Sequence, residues 1–62
     1  MIKKFRFGNI IYALVAGALF VKPFGVDDFV PCDCSDNLLS SLDNLSIGDV
    51  ISFEGVKLVR FE

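Results

Sequence analysis

An apolar run, interrupted only at Gly8 and Asn9, constrains what this 62-residue chain can fold into. Residues 7–21 read FGNIIYALVAGALFV, and between Ile10 and Val21 the phenol of Tyr12 is the sole polar side-chain group. A surface helix shows a polar stripe with a period of 3.6 residues, and a half-buried strand alternates apolar and polar positions. The run shows neither pattern, so it predicts a segment that is buried on every side.

We interpret this run as a single N-terminal transmembrane helix. A bilayer span takes about 20 residues, and the apolar run is shorter. Aromatic flanks extend it from Phe5 to Phe24, provided that Arg6 and Lys22 direct their charged ends toward the two interfaces. The residues expected to contact lipid or an interface are Ile10, Ile11, Leu14, Val15, Leu19 and Phe20.

Small residues within the run predict a contact between helices. Ala13, Ala16 and Gly17 form a small-residue patch, and Ala13 and Gly17 are four residues apart. This spacing allows a second helix to approach closely in a membrane. The patch therefore predicts a homo-oligomer.

Two other interpretations of the run stay open. One is a cleavable secretory signal, which has a basic start and an apolar centre, but no small-x-small cleavage site follows Val21. The other is a buried helix or strand pair of a soluble subunit, in which neighbouring chains cover the apolar residues. A soluble, capsid-type or interaction subunit is thus the alternative to a membrane protein.

Charge divides the chain into two unlike parts. All charged residues before position 27 are cations, whereas the eight acidic residues all follow from Asp27 onward. The positive-inside rule places the basic N terminus on the inner side of a membrane and the acidic part outside. Nucleic-acid binding is not expected, because the positive residues are few and lie among apolar ones.

Residues 25–35 (GVDDFVPCDCS) are typical of a linker, since they combine glycine, proline and acidic residues. Cys32 and Cys34 form its one reactive-looking motif. Two thiolates are too few for structural zinc, and the chain has no histidine to complete the ligand set. In an oxidising compartment, these cysteines are candidates for intermolecular disulfides.

A short helix is predicted next. Ser35 or Asp36 can cap its N terminus, and Gly48 is expected to end the segment. The leucines that follow are spaced for one apolar helix face, and they are Leu38, Leu39, Leu42 and Leu45.

The last segment predicts a β-hairpin over residues 50–61 with Glu54 and Gly55 at its turn. A two-residue loop places Ile51 opposite Leu58 and Asp49 opposite Arg60, where an ion pair is expected. Two strands alone are marginal in water, so the hairpin is expected to dock on another surface. The predicted docking side chains are Ile51, Phe53, Val56, Leu58 and Phe61.

The predicted fold class is small α+β. Residues 1–24 form the membrane-spanning or fully buried helix, residues 25–35 the linker, and residues 36–62 an acidic helix-plus-hairpin docking module. Without histidine or a recognisable catalytic motif, we expect no enzyme activity, cofactor, metal or small-molecule substrate.

The function predicted from these features is that of a non-catalytic, membrane-anchored structural subunit that docks onto other protein chains through its hairpin. A membrane complex or a virus particle is the expected setting. In the alternative, the chain is soluble within a particle and the apolar run is an oligomer interface.

Overall fold

A computed structural model of the chain describes residues 2–53 and 55–62, with Phe53 described for its backbone alone. In this part of the chain, six strands form one antiparallel sheet, and one short helix packs against it. The elements are β1 (Ile2–Phe7), β2 (Ile10–Val15), β3 (Ala18–Lys22), β4 (Val30–Pro31), α1 (Asp36–Asp43), β5 (Val50–Phe53) and β6 (Val56–Arg60). The strand order is β4-β3-β2-β1-β6-β5, so the C-terminal hairpin joins the sheet beside β1.

The predicted N-terminal transmembrane helix is wrong. Its residues form the antiparallel strands β1, β2 and β3, and none of the described helical residues makes a helix long and apolar enough to cross a membrane. The predicted membrane anchoring and the orientation across a bilayer are wrong with it. No observation supports the virus-particle setting either.

Two tight turns divide the apolar run into strands. Gly8 and Asn9 connect β1 to β2, with Gly8 at φ 58°, as the first position of a type II′ turn requires. Ala16 and Gly17 connect β2 to β3 with φ values of 51° and 78°, which are those of a type I′ turn. A Gly-Asn pair between two apolar segments is itself a hairpin signal in a sequence, and here it marks the first turn.

Ala16 is the one non-glycine residue with positive φ in the described part of the chain. This conformation costs an L-residue roughly 1–2 kcal/mol, whereas asparagine is favoured in the first central position of a type I′ turn. We expect Ala16→Asn to raise the free energy of unfolding by about 0.5–1 kcal/mol in urea titrations. Ala18→Asn, in the neighbouring strand, is the control and should not stabilise. Equal effects of the two substitutions would contradict the turn assignment.

The sheet has two unlike faces, because successive side chains of a strand point to opposite sides. One face packs against α1 and is called the covered face. The other is called the open face, because no described element packs on it. The hydrophobic core lies on the covered face, and its fully buried or nearly buried members are Phe5, Leu14, Leu19, Leu42 and Leu58.

Helix α1 begins as the sequence predicts, but it ends at Asp43, so Leu45 and Gly48 lie beyond it. The Ser35 hydroxyl oxygen accepts a hydrogen bond from the Leu38 N–H at 3.2 Å, which caps the first turn. Leu42 is the buried residue of the helix, and Leu38 and Leu39 pack around the same core. The apolar helix face therefore closes one side of the sheet.

An ion pair ties the end of α1 to the sheet. The Lys3 ammonium lies 2.7 Å from the Asp43 carboxylate and also donates to the Asp43 backbone carbonyl. The hydrogen bond and the charge of Lys3 hold the pKa of the Asp43 carboxyl below its usual value. Since the Asp43 side chain is largely exposed to solvent, this pair contributes more to orientation than to stability.

The predicted hairpin register is confirmed, with Ile51 opposite Leu58 and Val50 opposite Val59. The predicted ion pair of Asp49 with Arg60 is wrong. The Arg60 guanidinium instead donates to the backbone carbonyls of Leu45 and Glu62, at 2.6 and 3.0 Å. The Asp49 carboxylate accepts the N–H of Ser46 at 3.0 Å, which stabilises the turn into β5.

Candidate interaction surfaces

The residues predicted to contact lipid lie on both faces of the sheet. Leu14 and Leu19 belong to the core. Val15 and Phe20 lie on the open face, where they line a shallow cavity. The strands are therefore apolar on both faces, which explains why the run shows no periodicity.

The predicted helix-packing patch does not exist as a patch, because its residues are not helical. Ala13 is buried in the middle of β2, on the open face. Ala16 and Gly17 form the exposed turn that follows that strand. The small residues Ala16 and Gly17 form a tight turn, and the small side chain of Ala13 lines a shallow cavity, so none of them makes a contact between helices.

Cys32 and Cys34 are free thiols that pack, half-buried, against the core. The backbone N–H of Cys32 donates to the Leu19 carbonyl at 2.9 Å, which holds this segment beside β3. Burial raises the pKa of the Cys34 thiol, and negative charge on Cys32 and Asp33 raises it further. A thiol with a raised pKa is a poor nucleophile near neutral pH. An intermolecular disulfide formed by Cys32 or Cys34 stays a prediction.

The predicted docking side chains of the hairpin that the structure describes are divided between the core and the open face. Leu58 is fully buried in the core, and Ile51 and Val56 pack against it. Phe61 lies on the open face, where its ring centre is 5.9 Å from the Arg6 guanidinium. The side chain of Phe53 lies outside the described residues. What the hairpin presents outward is therefore its backbone edge.

The two edges of the sheet differ in how they are protected. Strand β4 has only two residues and includes Pro31, and acidic residues stand nearby at Asp28 and Asp33. Short length, proline and charge are the usual devices that keep an edge strand from pairing. Strand β5 reads VISF and has neither proline nor charge. The β5 edge is therefore open to another strand.

The open face contains a shallow apolar cavity of about 290 Å³. Ala13 is its buried member, and the exposed Ile2 and Phe29 lie at its rim. The cavity is lined by Ile2, Lys4, Ala13, Val15, Phe20 and Phe29. An exposed apolar surface rimmed by charge is typical of an interaction site.

Because side chains alternate between the two faces along each strand, most of the positive charge lies on the open face. All six cations of the chain lie in strands, whereas every acidic residue that the structure describes lies in a loop, in α1 or near the C terminus. Lys3 and Arg60 belong to the covered face, with Phe5 and Leu58. The remaining four cations belong to the open face, and they are Lys4, Arg6, Lys22 and Lys57.

Comparison with known proteins assigns no family to this fold. The chain matches no protein-family model, no curated protein and no solved structure. Its function is therefore inferred from the β5 edge and the open face.

Proposed function

We propose that the protein is a non-catalytic interaction module that docks through the free edge of β5, and that its neighbour is a second copy of the chain. The unprotected backbone of β5 is the observation that carries this proposal. The absence of histidine and of catalytic motifs from the sequence supports a role without catalysis.

The hydrogen bonds of the hairpin define which backbone groups of β5 face outward. The Arg60 N–H donates to the Asp49 carbonyl at 3.0 Å. Because such bonds alternate along an antiparallel pair, Ile51 directs its N–H and C=O toward β6. Val50 and Ser52 therefore direct theirs away from the sheet. These groups can form a new ladder with an added strand.

Exposed apolar side chains lie in β5 and in the turn that precedes it. Val50 is 55% exposed, and Ile47, in the turn that precedes β5, is 68% exposed. Twofold pairing of β5 with its copy would bury this area on both partners and bring no like charges together within residues 50–53. Edge pairing of two copies would give one continuous sheet across the dimer.

The test is Ser52→Pro, which removes an outward N–H and leaves the bonds from Ile51 to β6 in place. We expect the wild-type chain to reach twice its 6.8 kDa monomer mass in sedimentation equilibrium as concentration rises. The proline variant should stay monomeric over the same range. Circular dichroism is needed to show that the variant still folds.

Ser52→Thr is the matched control, because it keeps both the N–H and the strand preference. This variant should dimerise like the wild type. A wild-type chain that stays monomeric, or a proline variant that dimerises equally well, would refute edge pairing between copies.

A further inference from the structure

We infer that the open face binds single-stranded nucleic acid, with bases on its phenylalanine rings and phosphates on its cationic side chains. This goes beyond the proposed docking role, because it concerns a face of the sheet rather than its edge. Two observations carry it together, namely the segregation of cations on that face and the aromatic rings among them, of which Phe29 is exposed and Phe20 and Phe61 are half-buried.

The first observation is electrostatic. Four of the six cations lie on the open face, and among residues 2–53 and 55–62 the ion pair formed there joins the Glu62 carboxylate to the Lys4 ammonium at 3.7 Å. From the sequence, nucleic-acid binding is not expected, because the cations are few and lie among apolar residues. The strand register brings them onto one surface, so a chain of net charge −2 has a locally positive face.

The register also gives the spacing of the cations. Arg6 is opposite Ile11, and Ile11 is opposite Lys22, so Arg6 and Lys22 lie two strands apart. Adjacent strands are about 4.8 Å apart, which separates these two residues by roughly 10 Å at the backbone. A strip of the open face roughly 10 Å wide therefore lies between these two cations.

The second observation is aromatic. Phe29 is 42% exposed at the rim of the cavity, and Phe20 is half-buried beside it. Phe61 lies on the other side of Lys4, under the Arg6 guanidinium. Rings that alternate with cations on an open sheet are the elements that bind unpaired bases and their phosphates at the same time.

Other occupants fit this face less well. A second copy placed face to face would bring Arg6, Lys22 and Lys57 against the same cations, which repel one another. An acidic protein segment would neutralise the cations but would leave the rings without a specific role. Single-stranded nucleic acid uses both sets of side chains.

The experiment is fluorescence anisotropy with labelled 12-nucleotide probes, oligo(dT) and oligo(rU), added to the full chain. We expect saturable binding with a dissociation constant below about 100 µM at 50 mM salt. With three to four phosphate contacts, raising the salt to 200 mM should weaken binding roughly 20- to 50-fold. Binding of either probe supports the inference, and the tighter one indicates whether DNA or RNA is preferred.

A charge variant and its control separate local contacts from net charge. Lys22→Gln with Lys57→Gln removes two cations of the open face and should weaken binding about 25-fold at 0.1 M salt. Asn37→Asp with Ser40→Glu makes the same change in net charge on the exposed side of α1, and it should have a much smaller effect. Equal weakening by both pairs would overturn the proposed site.

A ring variant separates stacking from simple apolar contact. Phe29→Leu keeps most of the apolar area but removes the ring, and it should weaken binding about tenfold. Phe29→Tyr should bind like the wild type. Since Phe29 is at the surface, neither change endangers the fold. If Phe29→Leu binds the probes as tightly as the wild-type chain does, the stacking role of Phe29 is overturned.

Two outcomes would overturn the inference as a whole. One is the absence of saturable binding to both probes at 100 µM protein and about 50 mM salt. The other is equally tight binding of a polyglutamate peptide of the same length, which would identify the open face as a site for acidic protein segments. Because the Ser52→Pro variant keeps every cation and ring assigned to the open face, although Ser52 is opposite Lys57, it should still bind the probes.

Discussion

Replacing Phe5 by alanine is expected to lower the free energy of unfolding by about 3–5 kcal/mol, which is the usual cost of deleting a buried ring. Phe5 is fully buried, and it lies in β1 at the centre of the sheet. A chain of 62 residues has a total stability of roughly 3–9 kcal/mol. The variant should therefore lose at least about a third of this stability, and its urea midpoint, followed by circular dichroism, should fall accordingly.

Phe7→Ala is the matched control for this prediction. Phe7 lies in the same strand, two residues further along, and it points to the same side of the sheet, yet it is 40% exposed. Its replacement should cost about 1 kcal/mol or less, since part of the ring already contacts water. If the two variants lose equal stability, the assignment of Phe5 to the core is incorrect.

The second large effect is expected for Leu42→Ala, which should cost about 2–4 kcal/mol. Leu42 is the buried residue of α1, and it inserts between the helix and the sheet. An isolated helix of eight residues is not stable in water, so the helix depends on this contact. Amide hydrogen exchange should therefore accelerate in α1 before it does in β1 and β2.

Ile47→Ala provides the comparison, because it also shortens an aliphatic side chain but at a position 68% exposed. Its effect on stability should stay within about 0.5 kcal/mol. Protection of α1 should be unchanged in this variant. Loss of helix protection in both variants would show that the helix is not held by Leu42.

The hairpin and the helix were predictable because their signals are local. The pairing of Ile51 with Leu58 follows from a two-residue turn and from alternation within nine residues of sequence. The Ser35 cap and the leucine spacing likewise operate within α1. Both elements are therefore specified by interactions between residues that are close together in the sequence.

The N-terminal strands were only an alternative to the predicted helix, because their burial comes from distant parts of the chain. Leu14 is covered by α1, which follows more than 20 residues later, and β1 gains its second neighbour from β6 at the C-terminal end. A strand that is covered on one face and apolar on the other has the composition of a buried helix. The Gly8-Asn9 pair was the local signal that favoured strands.

The sequence alone determined the short-range elements, namely the capped helix, the hairpin with its register and the lack of charge along β5. Only the tertiary structure decided that the apolar run is a meander and that Arg6, Lys22 and Lys57 share one face. The physical reason is that a strand has no face of its own until its register with neighbouring strands is established. Pairing then placed the core on one side of the sheet and four of the six cations, together with Phe20 and Phe61, on the other.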